Sequence, residues 1–448
     1  MTIIINTQRA RGISSSLFLL NLEVLKVKKI GCVLLFLLCI SSTAYAKFDI
    51  QEAIDRAEPG AVINIPAGYY KGNLIVTKNI TLRGEKGTEI AAVGEKPAIR
   101  IEGADAVMID NMTLSGKKGI VASEVEGLAL RQLKINDVHS AVHIQHGENV
   151  HIQHVEIVGT QAHYSKKGNG IAIYQSEKIV VEDSNIKHVQ DGIYVEEVDG
   201  IVVQRNTVEN SRYGTHFMYT ENAKALNNTY ASNVTGLMVM MTSGITIKDN
   251  VVIHHNDMNG SGALLYDVQR ADLAFNTMKN NRTAIALQKS AEVQIMHNHF
   301  QMNQTAIEGT KVDDQTVVEN NQFTGNILTA RSDQQGYRLS SNYYDDYVGT
   351  DLKNNGTGDV PYVAVSSFGQ WMVQQPVYQY FVASPSVVLL TSLDQQINKS
   401  ARTVLVDETP KLMKDQSVKK VDMDIAQFLL GLFFILSSVW LWKRGLME

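Results

Sequence analysis

The sequence predicts an all-β chain: a right-handed parallel β-helix with coils of about 22 residues, an N-terminal helical cap and a C-terminal transmembrane helix. Three observations point there. Asn206, Asn228, Asn250, Asn276, Asn298 and Asn321 recur at spacings of 22, 22, 26, 22 and 23 residues. Gly192, Gly214, Gly236 and Gly262 keep the same period, with Ala284 in the next place. Between these markers apolar residues alternate with others, as in "GIYVEEVDGIVVQRN", a pattern of strands and not of helices. Coils of such a solenoid stack at the strand-to-strand distance, about 4.8 Å. Identical Asn side chains at one turn can then hydrogen-bond along the stack as an amide ladder. Asn also tolerates the left-handed backbone such a turn needs. The Asn column is therefore read as scaffold.

Residues 1–46 read as an export leader with its core at 28–46. Lys26, Lys28 and Lys29 precede an apolar run from Ile30 to Ile40, and Ala44-Tyr45-Ala46 follows as a small-residue cleavage site before Lys47. Cys32 and Cys39 are the two cysteines, and both lie in this leader. The exported body must then hold together by its core alone. Within residues 47–58, Phe48, Ile50, Ala53, Ile54 and Ala57 share a helical face, and Pro59-Gly60 closes it. This helix is expected to cover the first open sheet edge.

The β-helix is expected over residues 47–348. In its early coils the ladder position is filled by Met112, Leu133, Val155 and Ser184, so the Asn stack begins at Asn206. The 29-residue step from Val155 to Ser184 marks an insertion, assigned to the polar residues 159–168. Loops on a solenoid are favoured places for partner contacts. Residues 342–359 are rich in Asp, Asn and Gly and resemble a calcium loop by composition. Their ligand positions do not follow the EF-hand pattern, and a turn-rich solenoid end explains them more simply. Residues 349–400 form the closing segment and 401–424 a polar linker. Residues 425–442 carry no charge for 18 positions and are followed by Lys443 and Arg444. This predicts a transmembrane anchor, with residues 443–448 as a cytoplasmic tail and the body outside.

The net charge is −5, and the chain has no basic run. That excludes an electrostatic footprint for nucleic acid. The one constellation that could carry chemistry comes from strand parity. Branched or aromatic residues such as Ile193, Val195, Phe217, Leu237 and Val239 face the core, so the residues between them face outward. Two adjacent coils then present His216, Met218, Met238 and Met240, with His216 beside Met238 and Met218 beside Met240, flanked by Tyr194 and Tyr266. Met more often fills cores, but here the core positions are already taken. An outward thioether and imidazole patch is either a partner-binding surface or a Cu(I) site, and the two can coincide. His254, His255 and Met258 form a secondary candidate in a turn. Many β-helix proteins act on acidic polysaccharides with clustered carboxylates. Glu182, Asp183, Asp191, Glu196 and Glu197 are acidic and close in sequence, but they suggest no cationic partner and continue no acidic column.

Four stretches carry a family likeness: "AIDRAEPGAVINIPAGYYKGNLIVTKNITLRGE", "HFMYT" at residues 216–220 with a Met-bearing strand one coil later, and the closing segments "NYYDDYVGTDLKNNGTGDVPY" and "SPSVVLL". In these the chain resembles the NosD family. It covers nearly all of residues 48–390. It implies a non-enzymatic, exported accessory protein that matures nitrous oxide reductase. Such a protein works with the ATPase and membrane subunits of an ABC transporter and with a copper chaperone, and it handles copper or sulfur for the enzyme's copper–sulfur cluster. ATP hydrolysis would belong to the partner, since the chain has no phosphate-binding loop of the G-x-x-x-x-G-K-[ST] type. His216, Met218 and Met240 match the family pattern residue by residue, whereas Met238 comes from parity alone. The C-terminal span departs from the family picture and implies tethering to the membrane's outer face. A membrane-tethered carbohydrate-binding or polysaccharide-modifying protein is the other reading.

Overall fold

The computed structural model describes residues 48–333 and 336–364, with short stretches at 376–381, 384–387, 389–390, 393 and 405–412. The leader and residues 425–442 lie outside the described residues. Among the described residues no helix is long and apolar enough to cross a membrane.

The described body is an all-β parallel solenoid of the right-handed type. Its strands pair with the strand one coil later, in register and in parallel. One such line runs Ile171, Ile193, Thr215, Leu237, Ala263, Ile285, Ile307, Ala330. The alternation read from sequence holds: these residues are buried inside the coil, and so are their i+2 neighbours from Ile173 to Gly309. A parallel stack leaves no room for tight hairpins, so each coil turns through short corners. Many corners carry a left-handed residue, such as Arg205, Asn227, Asp249, Phe275 and His297 one after another along one edge.

Next to that edge the amide ladder is complete. The side-chain N–H of Asn206 donates to the Asn228 oxygen at 3.2 Å, Asn228 to Asn250 at 3.1 Å, and Asn250 to Asn276 at 2.9 Å. The chain continues through Asn298, Asn321 and Asn342. Ser184 joins at its head, donating its backbone N–H to Asn206. A second ladder, invisible to the period count, runs through Asn281, Asn303 and Asn326. Asn233 sits on the same line, and the backbone of Ser211 donates to it.

The helix Ile50–Arg56 lies against the first strands with Ile50 and Ile54 buried. The Gln51 amide accepts from the backbone N–H of Ile75 at 2.9 Å and donates to its carbonyl at 3.2 Å, so both polar groups of that edge residue are satisfied.

At the other end Phe300, Phe323, Tyr344 and Tyr362 stack at centroid distances of 4.9, 5.3 and 3.7 Å. Part of the stretch expected to be a linker is not one. Val406–Asp407 pairs antiparallel with Tyr362–Val363, and Asp407 takes over where the Asn ladder stops. Non-local docking of this kind leaves no periodic mark in a sequence. The carboxylates of Asp345, Asp351 and Asp359 accept backbone N–H groups, Asp346 accepts from Tyr362, and no three such ligands converge among the described residues.

Candidate functional site: an Asp–His–Met face

The site is built on three successive strands, Asp191–Gln204, Tyr213–Met218 and Thr235–Met240. Their register sets Tyr194 beside His216 and His216 beside Met238, and in the next column Glu196 beside Met218 and Met218 beside Met240. Thr215, Phe217, Leu237 and Val239 are buried inside the coil. The four residues singled out by parity are thus brought together on the outer face. Tyr266 follows Met240 one coil on.

One expectation needs correcting. His216 points outward but is not exposed: only 7% of it reaches solvent. Tyr194 and Tyr213 roof it edge-on, at centroid distances of 5.0 and 5.1 Å. Its Nδ1 lies 3.1 Å from a carboxylate oxygen of Asp191, which is itself fully buried. Arg212 grips the same carboxylate with two parallel N–H donations, each 2.7 Å long, and its guanidinium lies over the Tyr213 ring. Bidentate pairing of this sort is the strong form of the ion pair. It gives the buried Asp191 a cationic partner and rigidly locates the group that holds His216.

The remaining ring nitrogen, Nε2 of His216, is buried and has no hydrogen-bond partner. A buried polar atom left unpaired costs stability and calls for an explanation. The residues in register around it are soft, with Met238 on the next coil and Met218 two places along the strand. The Met218 sulfur lies 3.6 Å from the Tyr194 hydroxyl, which donates to Glu196 at 2.8 Å. Burial and the Glu196 carboxylate push the Tyr194 phenol up, so it stays protonated. Further along the outer face Tyr174 stacks between His143 and Tyr194, at 5.0 and 5.4 Å, extending the aromatic strip.

The inserted loop borders this face. It forms a single turn at Tyr164–Lys166, and Gly168 accepts from the backbone N–H of Gln190, next to Asp191.

The secondary candidate does not assemble. His255 is fully buried, and its Nδ1 bonds the Asn233 carbonyl at 2.8 Å. Its Nε2 presses against Gly236, where an added Cβ would come within 2.9 Å. It occupies a rung of the second ladder, between Asn233 and Asn281. Met258, by contrast, is 80% exposed. The expectation that the acidic cluster lacks cationic partners is also overturned. Glu182 pairs with His151 at 2.8 Å and with Arg205, Asp183 pairs with Arg205, and Asp191 pairs with Arg212 and His216. Sequence reading missed Arg212 and Tyr213 as site residues. The usable signal was the coil register, which puts Tyr213 beside Asp191 and so Arg212 at its side.

Comparison with known proteins points to one family. The model of the NosD family, described as periplasmic copper-binding protein (NosD), matches residues 153–357, a span that holds every residue of this site. A probable ABC transporter binding protein NosD from Stutzerimonas stutzeri is 23% identical over 353 residues, covering 73% of this chain and 81% of the relative. One of the same description from Pseudomonas aeruginosa is 25% identical, covering 75% and 84%. Over that span the chain is similar to the NosD family. Among solved structures, the chain is similar to the periplasmic alginate epimerase AlgG, with a TM-score of 0.50 at 12% identity, covering 66% of this chain and 83% of that one. It is also similar to the mannuronan C-5 epimerase AlgE6 A-module of Azotobacter vinelandii, with a TM-score of 0.48 at 17% identity, covering 66% and 88%. At such identities only the solenoid fold is shared.

Proposed function

We propose that this chain is an exported, non-enzymatic accessory protein that binds copper as cargo and works with an ABC-type transporter. The observation that carries the reading is the buried, unpartnered Nε2 of His216 on a residue paired in register with Met238, with Met218 and Met240 paired in the next column. Imidazole and thioether are soft enough to hold Cu(I), and neither adds charge to the ion. The descriptions of the family and of the two relatives, copper-binding and ABC transporter binding, agree with that chemistry. The finer reading is maturation of nitrous oxide reductase. In it a copper chaperone docks on the Met face and the bordering loop, and copper or sulfur moves toward the enzyme's cluster.

The test is anaerobic Cu(I) titration of the full-length protein against a competing chelator, beside a variant with Ala at His216, Met218, Met238 and Met240. The parent is expected to bind and the variant to lose binding. Equal binding by both would sink the reading. The variant is expected to fold, because the inward neighbours Thr215, Phe217, Leu237 and Val239 are untouched and Arg212 still pairs Asp191.

The proposal includes tethering by residues 425–442, on the strength of their uninterrupted apolar character. Deletion of residues 425–448 is expected to move the protein from the membrane to the soluble fraction. Retention in the membrane fraction would assign attachment to a partner instead.

A further inference from the structure

We infer that Asp191, clamped by Arg212, is a positioning residue that fixes the tautomer of His216 and so makes Nε2 the metal-binding nitrogen. The inference rests on the copper reading of this face and adds two residues that the Met/His pattern does not contain.

The argument follows from donors and acceptors. Arg212 donates to both oxygens of Asp191, through Nε at 2.7 Å and a terminal nitrogen at 2.7 Å. A guanidinium has donors only and stays charged, so the carboxylate it grips is ionised and can only accept. Nδ1 of His216, 3.1 Å from that carboxylate, must therefore be the donor and carry the proton. In the neutral ring the lone pair is then on Nε2. Nε2 is the buried atom without a partner, on the side of the ring away from Asp191.

The clamp acts on geometry as well. Asp191 is fully buried, and its oxygens are held from two directions, so it cannot swing. The ring it holds is wedged between Tyr194 and Tyr213, both nearly perpendicular to it at 85° and 82°. Orientation and tautomer are thus set before any metal arrives. The arrangement is the carboxylate–imidazole–metal relay, in which the second partner raises ligand basicity and its loss costs about 10–100-fold in affinity. Arg212 neutralises the carboxylate, so the clamp brings no net negative charge to the face.

Asp191→Asn tests this on the full-length protein. Arg212 would hold the amide oxygen, and the amide N–H₂ would face Nδ1, moving the ring proton to Nε2. Long-range 1H–15N correlation on histidine-labelled, metal-free protein should show the proton of His216 on Nδ1 in the parent and on Nε2 in Asp191→Asn. Cu(I) affinity of Asp191→Asn should fall about 10–100-fold, with the circular dichroism spectrum unchanged. A parent ring protonated on Nε2 overturns the assignment, and this measurement stands even if Asp191→Asn fails to fold. Cu(I) binding lost in His216→Ala but parental in Asp191→Asn overturns the assignment alone. Parental binding in His216→Ala overturns the copper reading and the assignment with it.

Discussion

His255 shows how one residue type serves opposite ends within two coils. His216 faces outward and is held by a carboxylate, and its Nε2, like that of His255, is buried without a hydrogen-bond partner. His255 is sunk in the wall, bonded to a carbonyl, and burial pushes its pKa down to about 4. In the unfolded chain it would titrate at its ordinary value, about 6.5. Between those values the unfolded state binds the extra proton, so stability falls as pH drops from about 6.5 to about 4. The full difference corresponds to about 3 kcal/mol, reached below the lower value and absent above the upper one. Because His255 sits on a rung that Asn fills in neighbouring coils, His255→Asn should restore the amide ladder. Its melting temperature should decline less than the parent's over that pH window, with little difference near pH 8. Parallel decline of the two proteins would show that His255 does not carry the proton linkage.

At the scale of elements, the sequence made the coils legible and the corners partly so. A ladder works only if the same side chain returns every coil, so Asn206 to Asn321 announced both the period and the turn. The second ladder was hidden because His255 and Ser211 interrupt it, although each performs a rung's work through different atoms. Parity placed His216, Met218, Met238 and Met240 correctly because strands alternate strictly. It could not foresee that His216 would be roofed. Coverage depends on Tyr213, which stands at the corner before its own strand straightens, and on Tyr194 one coil away. The same limit hid the clamp. Asp191 and Arg212 are 21 residues apart, one short of the coil period, and the register of adjacent coils makes them neighbours. The helix Ile50–Arg56 was readable from its apolar face, and Gln51 adds the polar contact that a pattern of apolar residues cannot encode.

On the scale of the whole molecule, a solenoid is held mainly by contacts between adjacent coils, so its ends decide where unfolding begins. The far end is finished by a segment more than sixty residues downstream in sequence, since Asp407 reaches the ladder at Asn342. Asp407 is fully buried and accepts from the backbone N–H groups of Ser341 and Asn342, the Asn342 amide, the Tyr344 hydroxyl and the Thr409 N–H. Asp407→Ala would strand several of these donors at once. Each buried donor left unmade costs about 1–3 kcal/mol, which is enough to fray a terminal coil. Nearest-neighbour coupling limits how far the damage spreads. Hydrogen exchange should therefore show protection lost at Arg338–Ser340 and Tyr343–Tyr344 while the strand Tyr213–Met218 stays protected. If protection fell equally at both places, the rod would be one cooperative unit. The Asp–His–Met face would then depend on the integrity of an end five coils away in the stack.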